Sequence, residues 1–133
     1  MTAPTPRLTA AAYLAAGIVL AVGAAFPLAA DAVRPGPISA SWEAVARSAG
    51  WAAGPAAALG WAARWGRGHR LAAWAAFVGA LFTLGLGVAL YAASLRPDSR
   101  PYAPAVAVTF VPVRQLVTSA FVGWAVWLAR RAR

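Results

Sequence analysis

Two long runs of uncharged residues constrain this chain more than any other feature. Segment 8–30 contains 23 residues without a charged side chain, and segment 71–95 contains 25. As α-helices with a rise of 1.5 Å per residue, both would exceed the roughly 30 Å of a bilayer's hydrocarbon core. Backbone groups in hydrocarbon must find hydrogen bonds within the segment, and these runs are too long for barrel strands, which favours helices.

Segment 42–64 is the least apolar of four candidate spans. Glu43 and Arg47 lie in its first turns, and their i,i+4 spacing allows them to pair on one side of a helix. Ser39 or Ser41 can cap the start of this helix by accepting a hydrogen bond from a backbone N–H group. Because these features suit an outer interfacial turn, we count 42–64 as a span.

Segment 104–128 carries the most informative cluster of polar residues within a predicted span. At 100° per residue, four of them fall within about 140° of arc on one helix face: Arg114, Gln115, Thr118 and Ser119. Ten rises of 1.5 Å separate Arg114 from Pro104, which places Arg114 about 15 Å from the outer end, near the bilayer midplane. Pro112 cannot donate a backbone hydrogen bond, which predicts a kink there.

Together the segments predict an all-α fold, an integral membrane four-helix bundle with short loops. The spans at about 8–30, 42–64, 71–95 and 104–128 form a single transmembrane domain over residues 1–133. The composition agrees, because 62% of the residues are hydrophobic and 11% are charged, against about 25% charged residues in typical soluble domains.

The arginines predict the orientation of the helices. Seven lie in the N-terminal tail, around the middle loop and in the C-terminal tail: Arg7, Arg64, Arg67, Arg70, Arg130, Arg131 and Arg133. The opposite side has four, together with all three acids of the chain: Arg34, Arg47, Arg96, Arg100, Asp31, Glu43 and Asp98. The positive-inside rule therefore predicts both termini in the cytoplasm, in a bacterial inner membrane. Aromatic belts are expected at the inner boundary (Tyr13, Trp61, Trp65, Trp124, Trp127) and at the outer one (Trp42, Tyr91, Tyr102).

The N-terminus allows a second interpretation. Arg7, an apolar run and the sequence Ala30-Asp31-Ala32 are typical of a signal peptide with an A-x-A cleavage site, whose removal would take away residues 1–32. We expect a retained span, because a signal-peptide core has about 7–15 apolar residues and this run has 23.

No residue pattern indicates an enzyme, a cofactor site or a metal site. The chain has no cysteine, which excludes disulfides and thiolate ligands. His69 is the single histidine and has no acid nearby in the sequence, so neither a metal site nor a Ser-His-Asp triad is expected. The net charge of +9 comes from arginines that flank apolar spans, so we expect membrane lipids with anionic headgroups, and not nucleic acid, as partners.

Small residues at regular spacing predict close helix packing. Gly50 and Gly54 stand four residues apart in the second span, and Gly79 and Gly87 stand eight apart in the third. Such residues let helix backbones approach each other where hydrophobicity gives no drive for association. We expect the second helix to lie between neighbours, so that leucine at Gly54 disturbs assembly more than leucine at Gly17.

Two functions from different classes fit these features. The first is a structural or accessory subunit of a membrane complex, or a self-associating homo-oligomer, in which Arg114 pairs with an acid. Its candidate partners, in order of preference, are Glu43, Asp31 and Asp98 at the outer rim, toward which the arginine side chain leans. The alternative is a small-solute or anion transporter or channel, with Arg114 attracting the anion at mid-depth. A dry ion pair around Arg114 favours the first, and a water-filled vestibule favours the second.

Overall fold

The computed structural model describes residues 5–35 and 40–132, and this part of the chain is all-α. Four helices follow one another: α1 (Thr5–Val33), α2 (Trp42–Trp65), α3 (Arg70–Ser94) and α4 (Ala103–Arg131). Each predicted span falls on one of these helices, with ends that differ by at most three residues, so the four-helix prediction is confirmed. Two residues of the sequence-based predictions, Ser39 and Arg133, lie outside the described residues.

Three of the four helices, α1, α3 and α4, are long and apolar enough to cross a membrane. The second helix is of similar length, with 24 residues, but it is not among these three. The reason is its composition, because α2 has one Leu, one Val and no Phe, against five Leu, two Val and two Phe in α3, and it also carries Glu43, Arg47 and Arg64.

The ends of the middle helices are set by local hydrogen bonds. Ser41 caps α2 as predicted, since its side chain accepts a hydrogen bond of 3.2 Å from the backbone N–H of Ala44. His69 caps α3 in the same way, accepting from the N–H of Ala72 at 3.4 Å. Gly68 has a φ of 78°, a left-handed conformation that glycine adopts without strain. A short loop therefore suffices between α2 and α3.

The helices form a ring in the order α1, α2, α4, α3. Each helix packs mainly against two neighbours, while the pairs α1–α4 and α2–α3 face each other across the diagonals. The loops meet at two ends of the bundle. At one end Arg34 donates hydrogen bonds to the carbonyls of Arg96 (3.1 Å) and Ser99 (3.2 Å), and at the other Arg130 donates to the carbonyl of Trp65 at 3.0 Å. These hydrogen bonds link the α1–α2 hairpin to the α3–α4 hairpin at both ends of the bundle.

Two buried clusters fill the bundle. The cluster nearer the termini is made largely of alanine, with Val19, Leu59, Val122 and Val126 as its largest members. The cluster near the other end contains Phe26 and Tyr91, whose rings stack with centroids 4.3 Å apart. Small side chains over most of the core allow the four helices to approach closely, as expected where van der Waals packing drives association.

Glycine positions on α1 and α3 mark the closest approaches. A Cβ atom added at Gly79 would lie 2.4 Å from Val122 Cγ2, and one at Gly87 would lie 2.0 Å from the Gln115 amide nitrogen. At Gly23, which the sequence analysis did not single out, a Cβ would lie 2.4 Å from that of Ala52. An added side chain at Gly23 or Gly79 therefore displaces short side chains on the neighbouring helix, and one at Gly87 displaces the Gln115 amide.

The structure corrects the role expected for the glycines of α2. Gly50 and Gly54 are both exposed on the outside of the bundle. An added Cβ meets nothing within 4 Å at Gly50, and only Leu116 Cδ1 at 3.9 Å at Gly54. Gly17 is equally open, so the packing gives no reason for Gly54→Leu to be worse than Gly17→Leu. α2 does lie between α1 and α4, but other residues of α2 make those contacts.

Candidate functional site

The predicted polar cluster of α4 is split between two surfaces. Gln115 and Ser119 are buried inside the bundle, each 2% exposed, whereas Arg114 is exposed and Thr118 is half-buried. The split follows from helix geometry, because neighbouring residues point about 100° apart and the boundary of the bundle passes between them. The four residues therefore do not form one site.

Of the two inward residues, Gln115 joins α4 to α3 and Ser119 bonds within α4. Gln115 Nε2 donates a hydrogen bond of 3.2 Å to the backbone carbonyl of Thr83, in the space left by the missing side chain of Gly87. Ser119 Oγ donates to the carbonyl of Gln115 at 2.7 Å. Gln115 Oε1 is buried with no hydrogen-bond partner. The amide thus acts as a contact between the helices through its donor, and its acceptor oxygen is left unsatisfied.

The outward pair is organised differently. The guanidinium carbon of Arg114 lies 4.8 Å from the centroid of the Phe110 ring, one turn earlier on α4. Thr118 Oγ1 donates to the carbonyl of Arg114 at 3.0 Å and so points back along its own helix. The charge therefore lies against an aromatic face on the outside of the bundle, which is a cation–π arrangement.

Arg114 stands near the middle of α4. Tyr102 precedes it by 12 residues and Trp127 follows it by 13, which corresponds to about 18 Å and about 20 Å along the helix. Its guanidinium leans toward the level of Phe110, which is still about 12 Å from Tyr102. The side chain therefore does not reach the end of the bundle.

The expected ion pairs of Arg114 are not brought together. Glu43 and Asp98 are exposed and Asp31 is half-buried, all at the end of the bundle where α1 ends and α2 begins. The ion pair found within residues 5–35 and 40–132 joins Arg96 Nε and Asp98 Oδ1 at 3.6 Å, and both side chains are largely exposed. Arg114 thus has no acidic neighbour in the described part of the chain.

A wide groove runs along the outer surface beside Arg114. It has a volume of about 930 Å³ and opens sideways, away from the core. We call it the α3–α4 groove; it is lined on α3 by Val78, Gly79, Phe82 and Leu86, and on α4 by Phe110, Arg114, Val117, Thr118 and Phe121, among others. Large apolar side chains on it are strongly exposed, with Phe82 and Phe121 both at 64%. The groove is an apolar surface with one charged side chain, Arg114, in its lining.

The end of the bundle near the termini is rich in arginine and tryptophan. Arg131 lies over the ring of Trp127, with its guanidinium carbon 3.8 Å from the ring centroid, and Arg130 lies 5.9 Å from that of Trp65. Trp61 and Trp124 are exposed there. Tyr91 differs from the belt prediction, because it is 4% exposed and stacked on Phe26 inside the bundle.

Residues suited to metal binding are not grouped within the described residues, where no three His, Cys, Asp or Glu side chains come close enough to hold an ion. His69 instead has the structural role of capping α3. Sequence reasoning missed this cap, since histidine is not among the preferred capping residues. It also missed Phe110, although its spacing of four residues from Arg114 was a usable signal.

Comparisons of this chain with protein families, with curated proteins and with solved structures find no match.

Proposed function

We propose that this chain is a non-catalytic subunit of a membrane complex, which it joins through the α3–α4 groove. In this proposal α2 crosses the membrane as a fourth span, and both termini lie in the cytoplasm of a bacterial inner membrane. The position of α2 between α1 and α4 supports the fourth span, because a helix with packed neighbours needs less apolar surface of its own. The excess of arginines at the end with the termini supports the orientation.

The outward position of Arg114 carries the proposal. A charged side chain at the centre of a span costs about 2.5–3.5 kcal/mol on insertion scales, so such residues usually face other protein or water. The cation–π contact with Phe110 offsets about 2 kcal/mol of that cost. Within the described residues no acid forms an ion pair with Arg114 that would offset more of this cost. Exposure of Arg114 to lipid would therefore be unfavourable, whereas contact of Arg114 with another protein would lower that cost.

The same position disfavours an anion pathway through this bundle. Such a pathway needs the charge to line an interior passage open to water, whereas the core here is filled by alanine and a few larger apolar side chains. Ser48, Thr83 and Ser119, the most deeply buried hydroxyls, all donate to backbone carbonyls. Ser48 thereby joins α2 to α1, and Thr83 and Ser119 bond to carbonyls of their own helices, so none of these three hydroxyls is left free to bind an ion.

Site-specific photo-crosslinking in intact membranes tests the docking role. A photoreactive amino acid at Val117, 54% exposed in the groove, is compared with one at Leu14, 67% exposed on α1. The two positions are matched in exposure, but α1 lies diagonally opposite α4. We expect a discrete protein adduct from Val117 and lipid adducts from Leu14.

The proposal fails if position 117 yields lipid adducts alone, as position 14 does. A protein adduct of the same mass at both positions would also contradict it, because the groove would then not be the contact surface. Repeating the experiment at Phe82, on the other wall of the groove, should give the same adduct as Val117.

A further inference from the structure

We infer that the occupant of the α3–α4 groove is a transmembrane helix of another protein that carries a carboxylate at mid-membrane depth. This inference rests on the proposed function and specifies its partner. The groove has the form that a helix fits. Phe110, Arg114, Val117 and Phe121 follow one another at spacings of four, three and four residues along α4, which is the spacing of a helix-packing seam.

The charge of Arg114 disfavours a second copy of this chain as the occupant of the α3–α4 groove. A twofold pairing through the groove would place two Arg114 side chains at similar depth, whether the copies were parallel or antiparallel, because Arg114 is nearly equidistant from Tyr102 and Trp127. All three acids of the chain lie near its non-terminal end, in Asp31, Glu43 and Asp98. A second copy would thus bring a like charge and no acid to this depth.

Lipid headgroups are also too far away. The guanidinium of Arg114 leans to the level of Phe110, about 12 Å along α4 from Tyr102, and Tyr marks the headgroup level in membrane spans. A carboxylate on a neighbouring helix can reach the same depth and form paired hydrogen bonds with the planar guanidinium. Such a pair removes the unfavourable charge and fixes the register of the two helices.

Synthetic transmembrane peptides provide a direct probe. A leucine-rich peptide with one central Glu is compared with the same peptide carrying Gln, each labelled for energy transfer to the full-length chain in phosphatidylcholine vesicles. We expect the Glu peptide to associate about tenfold more tightly than the Gln peptide, since interhelical polar contacts in membranes contribute up to about 1–2 kcal/mol. Arg114→Leu should abolish the difference, and Arg47→Leu, at an exposed position outside the groove, should leave it intact.

A charge-reversal variant distinguishes loss of the charge from misfolding, because a misfolded protein would not gain a new preference. Arg114→Glu should lose its preference for the Glu peptide and gain one for a peptide with a central Arg. The inference is overturned if the chain does not distinguish Glu from Gln, if Arg114→Leu keeps the preference, or if the reversed pair shows none. Photo-crosslinking from Val117 separates the two proposals: a protein adduct together with no preference for Glu refutes the carboxylate partner alone, and lipid adducts alone refute the docking role itself.

Discussion

Replacement of Gly79 by alanine tests the closest approach between α3 and α4. The new Cβ would lie 2.4 Å and 2.7 Å from the two Cγ atoms of Val122, and 3.1 Å from its Cβ. Ordinary contacts begin near 3.4 Å, so the helices must separate locally by about an ångström. Overpacking of this kind costs about 1–3 kcal/mol. We expect Gly79→Ala to lower the free energy of unfolding by that amount.

Gly50→Ala provides the matched control. It introduces the same methyl group into a helix, but nothing lies within 4 Å of the new atom. Any gain from the higher helix propensity of alanine, up to about 1 kcal/mol, is common to both variants. The difference between Gly79→Ala and Gly50→Ala therefore isolates the steric clash.

Val122→Ala supplies the second arm of a double-mutant cycle. It removes both Cγ atoms and leaves a closest distance of 3.1 Å, which a shift of a few tenths of an ångström relieves. We expect Gly79→Ala and Val122→Ala together to be less destabilising than the sum of the single changes, with a coupling of about 1–2 kcal/mol. Reversible unfolding in mixed micelles at increasing SDS measures all four proteins. Equal stability of Gly79→Ala and Gly50→Ala, with no coupling to Val122, would refute the packing of α3 on α4 described above.

Three further outcomes are expected. Gln115→Met should leave thermal stability in detergent unchanged or raise it, because the lost hydrogen bond contributes about 0.6 kcal/mol in a membrane, whereas the buried unpaired Gln115 Oε1 costs about 1–3 kcal/mol; a clear fall in melting temperature would contradict this. Arg34→Ala should make the 95–102 loop about fivefold more sensitive to proteolysis through the loss of roughly 1 kcal/mol of loop contacts, while Arg47→Ala should not. Reporter fusions should find the loop at Arg67 and the C-terminus in the cytoplasm and the loop at Asp98 outside, and an external C-terminus would reverse the proposed orientation.

The number of helices, and their limits to within three residues, were predictable from the sequence. Segments 8–30 and 71–95 are long enough and apolar enough that only a helix satisfies their backbone in hydrocarbon, and both lie on helices to within a residue. The cap at Ser41 was predictable for the same kind of reason, since it depends on the residue and its immediate neighbours. Charge segregation between the two ends is likewise a property of sequence order alone.

The rotation of each helix about its axis was decided only by tertiary packing. In a soluble bundle the apolar stripe marks the inward face, but lipid is as apolar as leucine, so inward and outward faces of these helices look alike in sequence. For this reason Arg114 and Gln115, adjacent on α4, were expected on one surface and lie on two. The same ambiguity made Gly54 resemble Gly79, although only Gly79 meets a neighbouring helix closely. Which small or polar residue faces a neighbouring helix depends on the complementarity of two whole helix surfaces. The pattern of residues along one helix does not contain that information.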